Sequence, residues 1–590
     1  MPPTVPPWIR SASVLLALSI AAPRPAFADW PASPTVNVPV CTASDQQLTP
    51  AITTDAVGGA IIAWSDSRAG SANTDIYVQR VLASGSVDPA WPVNGRAICT
   101  APGAQFNVRI VSDGAGGAVL CWQDGRGGTT FDVYAQHVLP GGGVDPAWPV
   151  DGRAISTAAG NQFSIAMIPD DAGGAIMAWR DFRAGSASDV YAGHVLAGGQ
   201  VDPVWPVDGR ALCTQPDTTA HPRGPCLVSD GQGGAIVAWS DFRDDASFDI
   251  YAQRVRSNGS LDPAWPADGR ALCTAIGDQQ RPDIVSDGAG GAIVGWDDLR
   301  GGATSDIYAQ HVGPTGAVDA AWPLDGRLVC SAVGNQVLPR LAQDGTGGAS
   351  ITWLDNRSGT TGQDVYADHV LASGDIDPGW PLDGRAVCGA FGAQTNPAVA
   401  ADGAGGVFVT WQDPRNINYD IYLQHVLATG DVDPGWPLDG RAVCTAPAAQ
   451  QVPAILADGS GGAIVTWFDG RPGATNDIYA QRVQSNGQLG GTVVGVPRDG
   501  RSTLALDPVQ PNPWRGGVLT LSFTLPTGSP ATLEVIDVAG RRVAVQTFGS
   551  PGPGRQSVRL RPGAHVAPGI YLVQLRQGAV TSPRRLVALE

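Results

Sequence analysis

"GGAIVAWSDFRDDASFDIYAQRV" (Gly233–Val255) is the stretch that decides the fold, because the chain carries eight versions of it. Its core, Gly-Gly-(Ala or Val)-x-x-x-Trp, recurs every 56 to 60 residues. The tryptophans of this series are Trp64, Trp122, Trp179, Trp239, Trp296, Trp353, Trp411 and Trp467. A fixed period of this length indicates a protein built from similar units stacked on one another.

Each unit has about four strand signals and no helical periodicity. In the fifth unit the strand signals are Pro282–Asp287, Ala292–Trp296, Asp306–Val312 and Arg327–Cys330. A second motif, Trp-Pro-x-(Asp or Asn)-Gly-Arg, lies between the stretches, at Trp91, Trp148, Trp205, Trp265, Trp322, Trp380 and Trp436. One unit cannot bury both faces of its apolar central strand, so neighbouring units have to cover them.

The period slightly exceeds that of common propeller blades. We therefore predict an all-β fold, an eight-bladed β-propeller of ~58-residue repeats over residues 29–499, with a four-stranded sheet in each blade. An open β-solenoid is the alternative. The chain ends favour a ring, because the last unit lacks its own Trp-Pro segment and Asp29–Ala43 supplies one in advance. This segment should pair with the blade built on Trp467 and Tyr479.

Charge and the N-terminus predict an exported protein. The net charge is −17, which argues against nucleic acid and anionic membrane surfaces as partners. Arg10, the apolar run Ser13–Ala22 and the small-x-small site Ala26–Ala28 are typical of a signal peptide over residues 1–28. The run is too short to span a bilayer. We expect a mature chain from about Asp29, secreted or on the outer cell surface, with no membrane span.

Residues 504–590 alternate strand patterns with Pro/Gly turns, which predicts a small β-sandwich. This segment resembles the C-terminal sorting domains of the bacterial type IX secretion system, which are similar to the immunoglobulin-like domain of the flagellar hook-capping protein. The matching stretches are Pro511–Pro513, Leu521–Pro526, Leu533–Val543 and Ala567–Leu575. Arg559–His565 departs from the family, which commonly has a Trp-Asp-Gly-like turn there.

This resemblance implies an immunoglobulin-like fold, the secretion machinery as a partner, and export to the cell surface. A plain accessory β-sandwich is the alternative. The repeats resemble an uncharacterised β-propeller-type family of secreted proteins that carry the same C-terminal domain, and that resemblance implies no activity.

An Asp-x-Arg motif follows every repeated Trp, as at Asp241 and Arg243. Acid–base catalysis needs two groups in different environments at one site, which eight identical pairs do not provide. We interpret the motif as a turn-stabilising ion pair, with a repeated ligand contact as the alternative. Trp239 should fill the space between blades.

Five histidines share one repeat position, and Arg80, Arg254 and Arg482 occupy it in the other units. These histidines are His137, His194, His311, His369 and His425. Arg binds no metal, so we interpret the position as a polar strand position. The remaining His221 and His565 lie in loops without a partner pattern.

The Asp- and Gly-rich turn Asp287–Gly291 is weakly similar to a calcium-binding loop. It lacks the alternating Asp/Asn series and the closing Glu of the strong motif, so a tight hairpin is the preferred interpretation.

Seven of the nine cysteines share one repeat position, and equivalent points on neighbouring blades should lie beyond the ~7 Å limit for a disulfide. We interpret them as small buried residues. The sequence leaves Cys213–Cys226 as the plausible disulfide.

These patterns assign no catalytic, cofactor-binding or metal-binding residue, and no cofactor. The main hypothesis is a secreted, non-enzymatic propeller that binds an extracellular glycan or protein. The alternative is an extracellular polysaccharide hydrolase or lyase with a propeller active site. An enzyme should show polar residues that are unique to a few blades and converge at one mouth. The visible irregularities are the insertion in repeat four, Cys121, and Asn416–Asp420.

Overall fold

A computed structural model of the chain is all-β, with propeller-like repeated four-stranded sheets. It describes residues 29–491 except 186–187, 215–223, 244–245 and 360–361, and then 505–506, 519–525, 530–538, 541–548, 554–560, 569–577 and 580–588. Throughout these ranges the regular elements are strands, so no helix there could cross a membrane. The signal-peptide prediction (1–28), Pro511–Pro513, His221 and His565 lie outside the described residues.

The repeat region forms eight antiparallel sheets of four strands, and the first seven follow chain order. The first four sheets are Gln47–Thr54, Ala60–Asp66, Asp75–Val81, Arg96–Cys99; Gln105–Ser112, Ala118–Asp124, Asp132–Val138, Arg153–Ser156; Gln162–Pro169, Ala175–Asp181, Asp189–Val195, Arg210–Cys213; and Cys226–Ser229, Ala235–Asp241, Asp249–Val255, Arg270–Cys273. The next three are Gln279–Ser286, Ala292–Asp298, Asp306–Val312, Arg327–Cys330; Gln336–Gln343, Ala349–Asp355, Asp364–Val370, Arg385–Cys388; and Thr395–Ala401, Val407–Asn416, Asn418–Val426, Arg441–Cys444.

The eighth sheet takes its outer strand from the N-terminus. Its strands are Gln450–Ala457, Ala463–Asp469, Asp477–Val483 and Val38–Cys41. Val38 lies opposite Ala480, and Pro39 lies opposite Tyr479. The predicted pairing of the N-terminal segment with the last repeat is therefore confirmed.

The first strands of the eight sheets contact one another in a closed series, and we call the space that they border the channel. Each contacts the first strand of the next sheet, and the first strand of the eighth sheet contacts that of the first. We call the end where these strands begin the upper end. At the lower end a cavity of about 530 Å³ is lined by the last residues of first strands from sheets three to seven, mostly apolar.

Burial between sheets explains why the units stack. Every residue of the second strand Ala292–Asp298 is buried. The fifth sheet's Trp296 shares a core with Ile236 and Ala238 of the fourth sheet. Gly326, at φ 100°, approaches Trp296 so closely that a Cβ there would lie 2.7 Å from the indole ring. Apolar area is thus removed from water mainly between neighbouring units.

The C-terminal strands form two separate antiparallel sheets. One contains Ala505–Leu506, Leu519–Leu525 and Gly554–Leu560, and the other contains Arg542–Phe548, Ala531–Asp537, Gly569–Gln577 and Val580–Ala588. Leu521 and Phe523 of the first sheet share one core with Leu533, Val573 and Leu575 of the second.

Candidate functional site

The repeated Asp-x-Arg motif forms a buried knot at the upper end of the second strand. In the fifth sheet Asp298 is 0% exposed. Trp296 Nε1 donates to Asp298 Oδ2 at 2.7 Å, and Arg300 donates through its backbone N (2.8 Å) and Nε (3.0 Å) to Oδ1. The Arg300 guanidinium also lies over the Tyr308 ring, 3.8 Å from its centroid. The interpretation as a turn-stabilising pair is confirmed.

The cysteines tie this knot to the preceding sheet. Arg300 Nη2 donates to Cys273 Sγ of the fourth sheet at 3.1 Å, and burial raises the pKa of the Cys273 thiol to about 12. The prediction of a Cys213–Cys226 disulfide is wrong. Cys213 Sγ lies 3.5 Å from Asp241 Oδ2, whereas Cys226 Sγ donates to the Ala238 carbonyl from a first strand, so the two thiols lie on different strands.

Every repeat also places a second aspartate opposite the first, across the hairpin. Asp132 lies opposite Asp124, and burial, helped by the charge of Asp124, raises the pKa of Asp132 to about 6. Two neighbouring carboxyls of unequal acidity are a pattern of acid–base enzymes. The arrangement nevertheless occurs in all eight sheets, and both carboxyls are buried in six of them, which identifies it as part of the framework.

The repeated histidines are clamped between two aspartates. His137 bonds Asp113 through Nε2 (2.9 Å) and Asp145 through Nδ1 (2.8 Å). Burial disfavours the charged ring, but both aspartates outweigh it and raise the pKa of His137. Asp113 Oδ1 accepts the backbone N–H of Ala115 and Gly117, so this turn engages both carboxylate oxygens. The polar-position and tight-turn interpretations are confirmed. In the described part of the chain no three His, Cys, Asp or Glu residues are grouped to hold a metal ion.

Repeat symmetry breaks on the channel wall. We define one position on each first strand as the channel position. It lies opposite the residue that directly precedes the repeated Trp on the second strand. It is Ala in four sheets and polar in the other four: Ala51, Arg109, Ala166, Cys226, Asp283, Arg340, Ala398 and Ala454. All eight are at least partly open to solvent.

The charged residues at this position act on one another. Leu341 N–H of the sixth sheet donates to Asp283 Oδ2 at 2.8 Å. Burial raises the pKa of Asp283, and the charge of Arg340 and the amide hydrogen bonds offset this only in part. Burial lowers the pKa of Arg109, and the charge of Arg340 lowers it further. Arg109, Asp283 and Arg340 therefore form one electrostatic group in the channel.

A second variable position directly follows the repeated Trp. Its residues are Ser65, Gln123, Arg180, Ser240, Asp297, Leu354, Gln412 and Phe468. A bulge residue two positions before the channel position contacts it: Asn107 Nδ2 donates to Gln123 Oε1 at 3.0 Å. Arg281 donates from Nε and Nη2 to the two oxygens of Asp297, both at 2.7 Å. Arg281 has φ 52°, and the equivalent bulge residues of six other sheets also have positive φ, so this conformation belongs to the repeat.

The fifth sheet alone among the eight has a carboxyl at both variable positions. Asp283 lies opposite Gly295, two residues before Asp297 on the second strand. The two residues therefore share one sheet face as diagonal neighbours, whose backbones in a regular sheet lie roughly 7–8 Å apart. Asp283 is partly open to the channel, whereas Asp297 is 1% exposed beneath Arg281.

A cavity of about 580 Å³ lies at the upper end, between sheets two, three and four; we call it the upper cavity. Its lining is Phe106, Asn107, Arg109, Gln123, Phe163, Ser164, Ile165, Ala166, Arg180, Gly224 and Pro225. Among the described residues of this lining, the charged side chains are those of Arg109 and Arg180, and there is no carboxylate. An aromatic row, Phe106, Phe131, Phe163 and Phe182, crosses beside it with centroid spacings of 4.8 to 5.8 Å.

The sequence analysis did not identify Arg109, Asp283 and Arg340 as site residues, because it concentrated on residues that are the same in every repeat. The available signal was the opposite one, namely positions that vary while their neighbours do not. Of the irregularities noted, Cys121 lies opposite Arg109 in the strand register. Asn416–Asp420 forms a tight hairpin between the two central strands of the seventh sheet. Most of the insertion in repeat four (215–223) lies outside the described residues.

No protein-family model matches the chain, and a comparison with curated proteins finds no relative. Among solved structures the chain is similar to an α-L-arabinanase of Penicillium chrysogenum (14% identity, 56% of this chain and 94% of that one, TM-score 0.32). It is also similar to an α-L-arabinofuranosidase of Fusarium graminearum (12%, 55% and 93%, 0.33) and to a protein of unknown function from Dyadobacter fermentans (11%, 54% and 94%, 0.32).

These matches contradict the main hypothesis of a non-enzymatic binding protein. The matches with a named activity are an α-L-arabinanase and an α-L-arabinofuranosidase, and those activities are properties of the matched proteins. Likenesses of this size do not carry an argument about the reaction, which has to rest on the residues of this chain.

Proposed function

We propose that this chain is an extracellular polysaccharide hydrolase that works in the channel of an eight-bladed β-propeller. The observation that carries the proposal is the pair Asp283 and Asp297. A glycosidase of the inverting type needs one protonated and one ionised carboxyl roughly 6.5–9.5 Å apart. The fifth sheet has two carboxyls on one face, on diagonally neighbouring residues whose backbones in a regular sheet lie roughly 7–8 Å apart.

The environments of the two carboxyls divide the roles. Burial raises the pKa of Asp283, which suits a proton donor, and its side chain is open to the channel. Asp297 has the bidentate contact to Arg281 that is typical of a charged pair. Asp283 gives its proton to the glycosidic oxygen as the bond to the anomeric carbon breaks. Water attacks that carbon from the opposite face and transfers a proton to Asp297, a step that requires the Arg281 side chain to move off this carboxylate.

The activity test is release of reducing ends from a panel of polysaccharides by the full mature chain. We expect Asp283→Asn and Asp297→Asn each to lower kcat by 100-fold or more with little change in melting temperature, since acid–base groups contribute about 10²–10⁴-fold. Asp171→Asn is the matched control, because Asp171 is exposed at the lower end of the channel, and Asn tolerates its φ of 59°. Full activity in Asp283→Asn would refute the assignment.

Product stereochemistry gives a separate check. The spacing predicts inversion, so the first product seen by NMR should have the opposite anomeric configuration to the bond cleaved. Retention would show that the two carboxyls do not act as proposed.

The eight sheets, the mutual contact of their first strands and the N-terminal strand in the last sheet support the count of eight blades over residues 29–499. The open solenoid does not account for the contact between the first and last sheets. A particle ring of eight lobes in electron microscopy is the expected result, and an open superhelix would refute it.

We further propose that residues 1–28 direct export and that residues 504–590, an immunoglobulin-like domain, act as a secretion-sorting domain. The sequence resemblance supports this, and the shared core of the two C-terminal sheets is compatible with a sandwich. Removing residues 504–590 should leave a folded repeat region trapped inside the cell. Normal surface display of the shortened chain, or an intact Met1 on exported protein, would refute the respective proposal.

A further inference from the structure

We propose that the upper cavity binds the carboxylate of an acidic sugar, so that the polysaccharide cleaved in the channel is an anionic one. The cleavage part of this inference rests on the proposed function, whereas the binding part rests on the upper cavity alone.

The charge of the upper cavity is opposite to that of the chain. The chain has a net charge of −17, yet the charged residues lining this cavity are Arg109 and Arg180. A concave site of one sign focuses the field and concentrates ligands of the other sign. Guanidinium groups bind carboxylates through two parallel hydrogen bonds, which makes arginine suited to recognising them.

Arg109 is in addition poorly neutralised. In the described part of the chain its side chain donates to the Val108 carbonyl at 3.2 Å, and Arg340 likewise donates to the Pro339 carbonyl at 3.2 Å. The charge that acts on Arg109 is that of Arg340, a second cation, since burial keeps the Cys121 thiol neutral by raising its pKa to about 12. Two cations facing one confined space repel each other. An anion bound beside them removes that cost.

Arg109 is also reachable. Its side chain is exposed and lines the upper cavity. Arg180 is held in place by Phe182, whose ring centroid lies 5.0 Å from the guanidinium carbon, and by a 3.4 Å hydrogen bond to Ser188 Oγ. A fixed cation of this kind loses little side-chain freedom on binding.

The rest of the lining suits a sugar ring. Phe106 and Phe163 offer flat apolar surface, and the Asn107–Gln123 amide pair offers hydrogen-bonding groups for hydroxyls. A volume of about 580 Å³ is within the usual range of ligand sites.

The upper cavity and the proposed reaction centre share the channel position. Arg109, which lines the cavity, and Asp283 occupy that position in the second and fifth sheets. In this proposal a chain anchored by its carboxylate at Arg109 extends along the channel wall toward Asp283.

The test measures binding by calorimetry on the full mature chain carrying Asp283→Asn, so that the probe is not consumed. The probes are an oligogalacturonate, its full methyl ester, and a neutral oligosaccharide of equal length. We expect the acid form to bind at least 10-fold more tightly than the ester. A sialylated oligosaccharide tells a chain-internal uronate from a terminal acidic sugar as the source of the carboxylate.

Two variants locate the site. Arg109→Gln and Arg180→Gln should each abolish the preference for the acid form. Arg541→Gln, which removes the same charge from a C-terminal side chain that is 82% exposed, should leave it unchanged. Unaltered melting curves exclude misfolding for either channel variant.

Two different results separate failure of the inference from failure of the proposed function. Equal binding of acid and ester, or an undiminished preference in both arginine variants, overturns the inference whatever the reaction is. Full hydrolytic activity of the Asp283→Asn chain overturns the proposed function, while the preference for the acid form still supports an anion site.

Discussion

The Trp-Asp-Arg knots form at the end of the second strand of each sheet, and the channel wall is formed by the neighbouring first strand. The residues of the knots are the same in every sheet, whereas those of the channel wall differ between sheets. In the knot all eight sheets have the same Trp, Asp and Arg, and the aspartate is buried with its oxygens saturated by donors. On the channel wall one position holds Ala, Arg, Cys or Asp according to the sheet. Uniformity is expected where every unit has the same structural requirement, and variation where the ring as a whole meets a ligand.

Removing the N-terminal strand should have the largest effect. Deletion of residues 29–43 takes away the outer strand of the eighth sheet and the Asn37 side chain, whose Oδ1 accepts from Arg471 Nη2 at 2.8 Å. The unpaired edge and exposed core face should cost most of the ring's stability and cause aggregation. Unchanged melting with a monomeric elution profile would contradict this expectation.

Removing the aspartate of one knot should lower the free energy of unfolding by less than the N-terminal deletion does, and by a similar amount in any sheet. Asp298→Ala removes a fully buried carboxylate that receives hydrogen bonds from Trp296 and Arg300, so we expect a loss of about 3–5 kcal/mol in the free energy of unfolding. Asp241→Ala should behave alike. Denaturant unfolding measures both. A loss below about 1 kcal/mol would mean that the pair behaves as a surface ion pair.

A substitution on the channel wall should affect activity strongly and stability only slightly. Asp283→Ala replaces a partly exposed carboxyl by the residue that four other sheets carry at that position, so the free energy of unfolding should fall by less than about 1 kcal/mol. The same variant should lose activity. A stability loss comparable to that of Asp298→Ala would make Asp283 a framework residue.

The pH dependence should favour mild acid. The folded-state pKa of Asp132 is raised to about 6, and that of His137 is also raised. A raised pKa contributes stability that is present below the unfolded value and is lost as pH rises through the folded value. Depressed carboxyls such as Asp113 contribute stability that is lost as pH falls below about 4.

Melting temperature should therefore be higher at pH 5 than at pH 8 and fall again in strong acid. A melting temperature that rises steadily to pH 8 would contradict the assignment.

The smallest effect is expected for His137→Arg. Arg254 already fills the equivalent position, donating to Asp230 at 2.9 Å and to Asp262 at 3.3 Å. At pH 5 the change should stay within about 0.5 kcal/mol, typical of a tolerated substitution. At pH 8 the variant should be the more stable protein, because Arg keeps the charge that His137 loses. An equal loss in the free energy of unfolding at both pH values would mean that the shape of the side chain between the two aspartates matters more than its charge.

The all-β fold, the four strands of each unit and the N-terminal strand of the last sheet followed from the sequence. They rest on period, alternation and turn residues, which act within about sixty residues of chain or repeat along it. The roles of Asp241 and Arg243 followed for the same reason, since both belong to one turn. The opposed aspartates of the hairpins were missed, because the register that brings Asp124 and Asp132 together depends on hairpin pairing.

By itself, the sequence determined what each repeat must do alike: bury its Trp, close its turns and cover the face of its neighbour. Only the tertiary structure decided which unlike residues meet. Arg109, Asp283 and Arg340 come from the second, fifth and sixth sheets, and nothing in their spacing along the chain marks them as partners. They interact because closure of the ring brings eight first strands around one channel, where burial and charge act across it.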